Sequence, residues 1–418
     1  MYKTTRSEAW KQLQKFSRSV ESYQSQRNYV RPKHTNVSRL SPVIRCRLID
    51  EYEVARWLLD QYSFPKIEKF IQEVFWRSYW KGWLEWHPAV WDHYERSLSE
   101  VSMGICGSEQ QKTMDQILAA EGPLDIINEF VTELKETGYL HNHARMWFAG
   151  YWIHTRKLPW QLGADFFYQH LLDADPASNT LSWRWVAGLH TKGKQYLARA
   201  SNIEKFCDYP SVNKEQLDEA LANTTESFVD SNAIVNPVLD SWHQTTPPKT
   251  DEAYVLWLHG EDLSFWENDV DLGRFPPKSV IAVIDQRLLN GHHVSNLRQT
   301  FLTEAMQDAV DRISENLGVE AKLLAGDLAE TLLAESKRLG VKQVFAINPA
   351  VGPLRQQLDR ITKELNTNGI RLETFRRSRD ELIWPLAKKG FFPFWQSMKK
   401  RLRSGFLEEG GYRIALCD

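Results

Sequence analysis

Apolar residues recur at spacings of three and four through the first 235 positions of the chain, and the pattern changes near residue 253. The stretches EAWKQLQKFSRSVESYQ (8–24), DEYEVARWLLDQY (50–62), FPKIEKFIQEVFWRSYWKGWLEW (64–86) and GPLDIINEFVTELKET (122–137) all carry the helical period. Strand-like alternation is absent there, so the spacing predicts an all-helical domain over 1–235. A Pro-, Asn- and Thr-rich stretch follows and reads as a linker over 236–252. Beyond it, short apolar runs alternate with amphipathic helical segments. YVLWLH (254–259), SVIAVID (279–285), VEAKLL (319–324), QVFAIN (343–348) and IRLETF (370–375) predict five buried strands.

That alternation implies a parallel sheet covered by helices on both faces, a Rossmann-like α/β domain over 253–385 with a C-terminal segment over 386–418. The predicted fold class is therefore α + α/β. The sheet carries neither a GxGxxG nor a Walker A motif.

Composition narrows the picture. A net charge of −2 makes no global demand for a polyanionic partner, although the first hundred residues lean basic. The four cysteines are scattered without ligand spacing, which argues against zinc, an iron–sulfur cluster or a disulfide framework and points to a reducing, cytoplasmic setting. No run reaches transmembrane length. Neither a metal nor a membrane is expected. Seventeen tryptophans are many for 418 residues, and most are expected to serve an aromatic core.

The densest chemistry lies in TGYLHNHARMWFAGYWI (137–153) and LLDADPASNTLSWRWVAG (171–188), which bring together Asn142, Arg145, Asp173, Asp175, Asn179 and several tryptophans. Taken alone, Asp173-Ala174-Asp175 also fits a magnesium site or a helix cap. NVSRLSP (36–42) also fits a simple helix start.

These segments resemble those of the DNA photolyase and cryptochrome family, in consistent order within each half. YQSQRNYVRPKHTNVSRLSP, beginning at Tyr23, resembles the flavin-phosphate segment, with Ser38, Arg39, Leu40 and Ser41 at matching positions. QEVFWRSYW resembles the next helix, TGYLHNHARM and LLDADPASNTLSWRW the flavin-ring motifs. VLWLHGEDLSFWEN resembles the first strand and loop of the family's α/β domain, and FFPFWQSMKKRL its closing segment. The family places the α/β domain first; here the helical part leads, as in a circular permutation.

The resemblance implies one bound FAD. Tyr23, Ser38, Arg39, Leu40, Ser41 and Arg77 belong to its binding segments, and helix starts add donors for the diphosphate. Arg145, balanced by Asp173, sits beside the ring in the family. Asp175 contacts its polar edge or ribose, Asn142 lies near it, and Asn179 faces N5, where plant cryptochromes carry Asp and insect ones Cys. Trp183 and Trp160 match the inner and middle indoles of the electron chain that reduces the flavin. The third indole should fall between Trp91 and Trp147, where the sequence holds none, so Trp147, Trp185, a tyrosine or an external donor must serve. A second, antenna chromophore also belongs to the family, and no sequence feature identifies one here.

For substrate, Glu73 and Trp76 match the carboxylate and stacking indole that hold a cyclobutane pyrimidine dimer, one helical turn apart. A structural Glu and a core Trp would show the same spacing. Asn142 and Met146 match the cyclobutane type, where enzymes for the (6-4) lesion carry His. His143 replaces an Arg that approaches DNA, and Ser78 replaces a Glu. The resemblance thus implies light-driven repair of dimer-containing DNA. Its alternative is a cryptochrome-like photoreceptor that signals to a protein partner through flavin redox state.

Overall fold

The structure, a computed structural model, describes residues 2–190, 195–226, 236–246, 251–264 and 276–403. The end of the VLWLHGEDLSFWEN motif, 247–250 of the expected linker and 404–418 of the C-terminal segment lie outside the described residues. Helices of seven residues or more in the first half are α1 (Arg6–Ser17), α2 (Glu51–Leu59), α3 (Phe64–Trp86), α4 (Ala89–Ile105), α5 (Glu109–Leu118), α6 (Asp125–Thr137), α7 (Asn142–Gly150), α8 (Trp160–His170), α9 (Pro176–Val186), α10 (Ala200–Phe206) and α11 (Lys214–Leu221). Strands β1 (Val255–Leu258), β2 (Ser279–Ile284), β3 (Glu320–Ala325), β4 (Gln343–Ile347) and β5 (Arg371–Phe375) follow, with α12 (Asn296–Leu317), α13 (Leu328–Leu339) and α14 (Leu358–Thr367) among them and α15 (Phe391–Arg403) after them.

All five strands pair in parallel, in the order β3-β2-β1-β4-β5. Central β1 and β4 are buried along their whole length, which explains their unbroken apolar runs. Edge strands β3 and β5 are only partly covered. Trp257, Ile281, Val344, Leu332 and Ile361 form the centre of the core on one face. Fold class and the positions of all five strands match the sequence reading, but β3 and β5 are not buried as expected, because each is an edge strand with a neighbour on one side only.

The first predicted helix breaks early. α1 stops at Ser17, and a 3-10 turn (Val20–Ser22) and a four-residue helix (Tyr23–Gln26) follow. The cause is the serine-rich SRSVESYQS run. Hydroxyls of Ser17, Ser22 and Ser25 each bond a carbonyl three residues back, offering the backbone an alternative to helix continuation.

The chain forms two compact units. One comprises Ser19–Arg39 with His87–Pro237, the other Tyr2–Arg18, Leu40–Trp86 and Val238–Asp418. The second unit thus joins α1, α2 and α3 to the sheet. Its interior is ionic as well as apolar. Arg377, fully buried, bonds Asp50 at 2.6 Å and both oxygens of Asp262. Arg47 clamps Asp380 at 2.7 and 2.8 Å and reaches Asp262 at 2.9 Å. Arg376 bonds Glu85 at 2.9 Å. No described helix is long and apolar enough to cross a membrane.

Candidate functional site

In the first unit, two dense motifs meet through Gly138. It ends α6 in a left-handed conformation (φ 66°), and its carbonyl accepts the Leu172 N–H at 2.8 Å. A side chain here would strike Leu172, so the close approach requires glycine. The contact brings TGYLHNHARM against LLDADP. Arg145 then grips Asp173 with two parallel bonds of 3.0 and 2.9 Å, and its Nε donates to the Leu140 carbonyl at 2.8 Å. Such a fork fixes the guanidinium plane as well as its charge.

Arg145 and Arg39 both lie against the ring of Tyr139, at 5.6 and 5.7 Å. Arg39 reaches it from a left-handed backbone conformation (φ 54°). Tyr139 is buried, and burial pushes its phenol up to about 12. His34 packs edge-on against the same ring at 5.0 Å and bonds Glu133, which also accepts from the Tyr209 hydroxyl at 2.9 Å. His141 stacks on His34 with centroids 6.0 Å apart. Sequence reading missed Tyr139, His34 and Glu133. Tyr139 stood inside a quoted motif, but nothing in the pattern marked Glu133 as a partner.

His141 caps α7 by accepting the His143 N–H on Nδ1 at 3.1 Å. Burial, reinforced by His34, His143 and Arg145, lowers its pKa to about 3. The ring is therefore neutral, with its proton on Nε2. That nitrogen is buried, and the Arg27 backbone lies against the ring. Nδ1 of His34 is buried without a partner among the described residues.

Helix α9 carries three expected residues at spacings of four, hence on one face: Asp175, Asn179 and Trp183. Asp175 caps the helix, accepting from Ala177 and Ser178 at 3.0 Å each. Asn179, buried, donates through Nδ2 to the Ala164 carbonyl at 2.8 Å, which fixes its amide. Trp183 is buried against Phe167 (5.1 Å), Phe148 (6.3 Å) and Trp152 (6.5 Å), and its indole rests on Gly163 of α8.

Trp160 opens α8 and is half-buried. Its ring neighbours Tyr94 at 5.5 Å, and Tyr94 neighbours Trp91 at 5.3 Å. Burial, with Asp165 beside it, raises the Tyr94 pKa. Of the stand-ins considered for the third indole, a tyrosine is thus the one beside Trp160. Trp147 is fully buried, stacked on His143 at 4.4 Å and bonded to Asn202. Trp185 packs on Tyr196 at 5.8 Å. Asn142 is exposed, with Nδ2 3.8 Å from the Met146 sulfur, and the His143 ring bonds the Asn28 carbonyl at 2.7 Å. Tyr23 and Ser38 are half-buried in the same unit.

Leu40, Ser41, Glu73, Trp76 and Arg77 belong to the second unit. Leu40 is buried, and Ser41 opens a helix of only five residues (Ser41–Arg45). On α3, Glu73 pairs with Lys69 at 2.9 Å, and Arg77 is half-buried. Trp76 lies face to face with Phe391, centroids 3.5 Å apart and planes within 6°. Sequence reading did not anticipate Phe391, because its partner is more than 300 positions away.

Guanidiniums on a buried tyrosine, the Asn179 amide and the buried, unpartnered Nδ1 of His34 suit a large polar ligand. Residues 70–219 match the family described as the FAD binding domain of DNA photolyase, so this is a flavin-binding helical domain whose cofactor is FAD. The same part of the chain is similar to photolyases and cryptochromes. It is 28% identical over 193 residues to a deoxyribodipyrimidine photo-lyase of Alkalihalophilus pseudofirmus, covering 45% of this chain and 39% of that one. It is 29% identical over 109 residues to a cryptochrome DASH of Idiomarina loihiensis, covering 26% and 24%. A bacterial class III photolyase structure from Agrobacterium tumefaciens shares 22% identity and a TM-score of 0.42 over 51% of this chain and 45% of that one. The chain thus spans about two fifths of the length of the first of these relatives.

Proposed function

We propose that the protein repairs cyclobutane pyrimidine dimers in DNA by light-driven electron transfer, and that its order of domains is a permutation of the family's. The observation that carries the reading is the Arg145–Asp173 fork, held against Tyr139 within the FAD-binding segment. The chemistry that FAD supplies when bound is a light-driven electron, lent to the cyclobutane ring and recovered when the two pyrimidines part. Arg145 and Arg39 supply positive charge toward the cofactor, and Asp173 holds Arg145 in one orientation. Asn179 offers an acceptor, its amide locked by the Ala164 carbonyl. Glu73 accepts hydrogen bonds from the dimer and Trp76 stacks on it, both from one side of α3. Relatives called deoxyribodipyrimidine photo-lyase support this reading.

The deciding experiment uses pre-reduced protein and a duplex with a single thymine dimer, in light and in dark. Repair should occur in light only, and Glu73→Gln should lower it at least tenfold. No repair, together with equal affinity for damaged and undamaged DNA, would discard the lyase. One observation favours a second reading, a blue-light photoreceptor: Phe391 already occupies a face of Trp76. Arg145→Ala tests the cofactor site under either reading. It leaves Asp173 without its fork and should lower FAD content, read from flavin absorbance per folded chain.

A further inference from the structure

The segment Lys388–Arg403, KKGFFPFWQSMKKRLR, contains six cationic residues and no carboxylate. Its apolar side is already committed: Phe391, Phe394, Trp395, Met398 and Leu402 are buried in the second unit. Phe392 is left out, 72% exposed, and Lys388, Lys389 and Lys400 are exposed with it. An exposed phenyl ring bordered by lysines offers a flat face for stacking. The start of α15 is also tied to the second unit by side-chain contacts. The Tyr79 hydroxyl bonds the Lys389 carbonyl at 3.1 Å, Lys388 lies 4.2 Å above the Trp86 ring, and Phe391 stacks on Trp76. A helix that lies on a membrane needs its apolar face free, and this one has spent it. A polyanion with flat apolar rings matches what remains.

We propose that Lys388–Arg403 is a DNA-contacting element, in which Phe392 stacks on a base and the lysines take backbone phosphates. Single-strand-binding surfaces combine these two features, an aromatic platform and a cationic border. The Phe392 ring stands edge-on to Phe391, the residue that backs Trp76, at 6.0 Å. The identity of the partner rests on the repair reading above; the geometry of the element does not.

The test is anisotropy of a labelled, dimer-free thymidine oligonucleotide with the full chain, across a salt series. Phe392→Ala should weaken binding about tenfold at every salt concentration. The double variant Lys388→Ala/Lys389→Ala should flatten the log–log salt slope by about 1.4, about 0.7 for each phosphate no longer neutralised. Phe392→Trp should bind as the parent does, which separates stacking from folding. Parental affinity in Phe392→Ala would overturn the proposal. So would failure of the parent to bind the oligonucleotide, or Phe392-dependent binding to anionic vesicles in its place. Intact, Phe392-dependent DNA binding without light-driven repair would uphold this element while removing the lyase reading.

Discussion

His141 is buried in neutral form and does structural work through one nitrogen, and these two facts fix how the protein responds to acid. Its Nδ1 accepts the His143 N–H, so protonation there destroys the cap of α7 as well as burying a charge beside His34, His143 and Arg145. The folded pKa, about 3, lies below the ordinary histidine value near 6.5. The unfolded chain therefore takes up the proton first. The stability from this residue is complete above about pH 6.5 and is lost as pH falls toward 3, with a slope approaching about 1.4 kcal/mol per pH unit. His170 and His190, both lowered to about 4 by burial, act in the same direction. Only the difference from a variant isolates His141. His141→Asn retains a capping acceptor and removes the titration. Urea unfolding at pH 7.5, 6 and 5 should show a shallower decline for the variant, and an equal decline would show that His141 does not fold as the neutral ring.

Helices α8 and α9 meet where Trp183 lies on Gly163, and the contact is tight enough to predict a coupling. A methyl group at position 163 would strike Cη2 and Cζ3 of the indole and crowd Nε1 of Trp152. Gly163→Ala should therefore cost about 1–3 kcal/mol from overpacking, despite alanine's better helix propensity. Phe lacks the outer ring that carries those two atoms. In the Trp183→Phe background the same Gly163→Ala change should cost less by at least about 1 kcal/mol, measured as a double-mutant cycle in urea. Strict additivity would place Trp183 elsewhere. Legibility in the sequence divides at this scale. Strands β1, β2 and β4 were readable because a buried parallel strand is an unbroken apolar run, and α3 was readable from Phe64 to Trp86 because its period never lapses. Asp175, Asn179 and Trp183 were singled out through the family resemblance, and only the structure sets them along one helix face. Tyr94 beside Trp160 and Phe391 on Trp76 were not, since both depend on which helices pack together. Local period carries no record of that choice.

At the scale of the whole chain, periodicity separates helices from sheet near residue 253, whereas packing assigns Leu40–Trp86 to the unit that contains the sheet. The reason is visible in the charges. Arg47, Asp50 and Glu85 are buried, and their partners Asp262, Arg376, Arg377 and Asp380 all lie beyond residue 253. Losing one member of such a buried pair costs about 3–5 kcal/mol, comparable to much of a domain's net stability. Helix α3 is fitted to the same partner: Gly82 lies against the backbone of Trp384 so closely that a side chain has no room. A fragment of residues 1–235 keeps every helix the sequence pattern predicts and is deprived of all these partners. It would also strip Trp86 of the Pro385 carbonyl that its Nε1 bonds and of Lys388 above its ring. We expect the fragment to aggregate or to melt without a cooperative transition, and to lack flavin absorbance. Co-expression with residues 236–418 should restore a soluble complex that unfolds cooperatively, because the ionic and aromatic partners are then supplied in trans. A 1–235 fragment that folds alone with a sharp thermal transition would show that the helical half is autonomous and that the buried charges of Leu40–Trp86 are hydrated without cost.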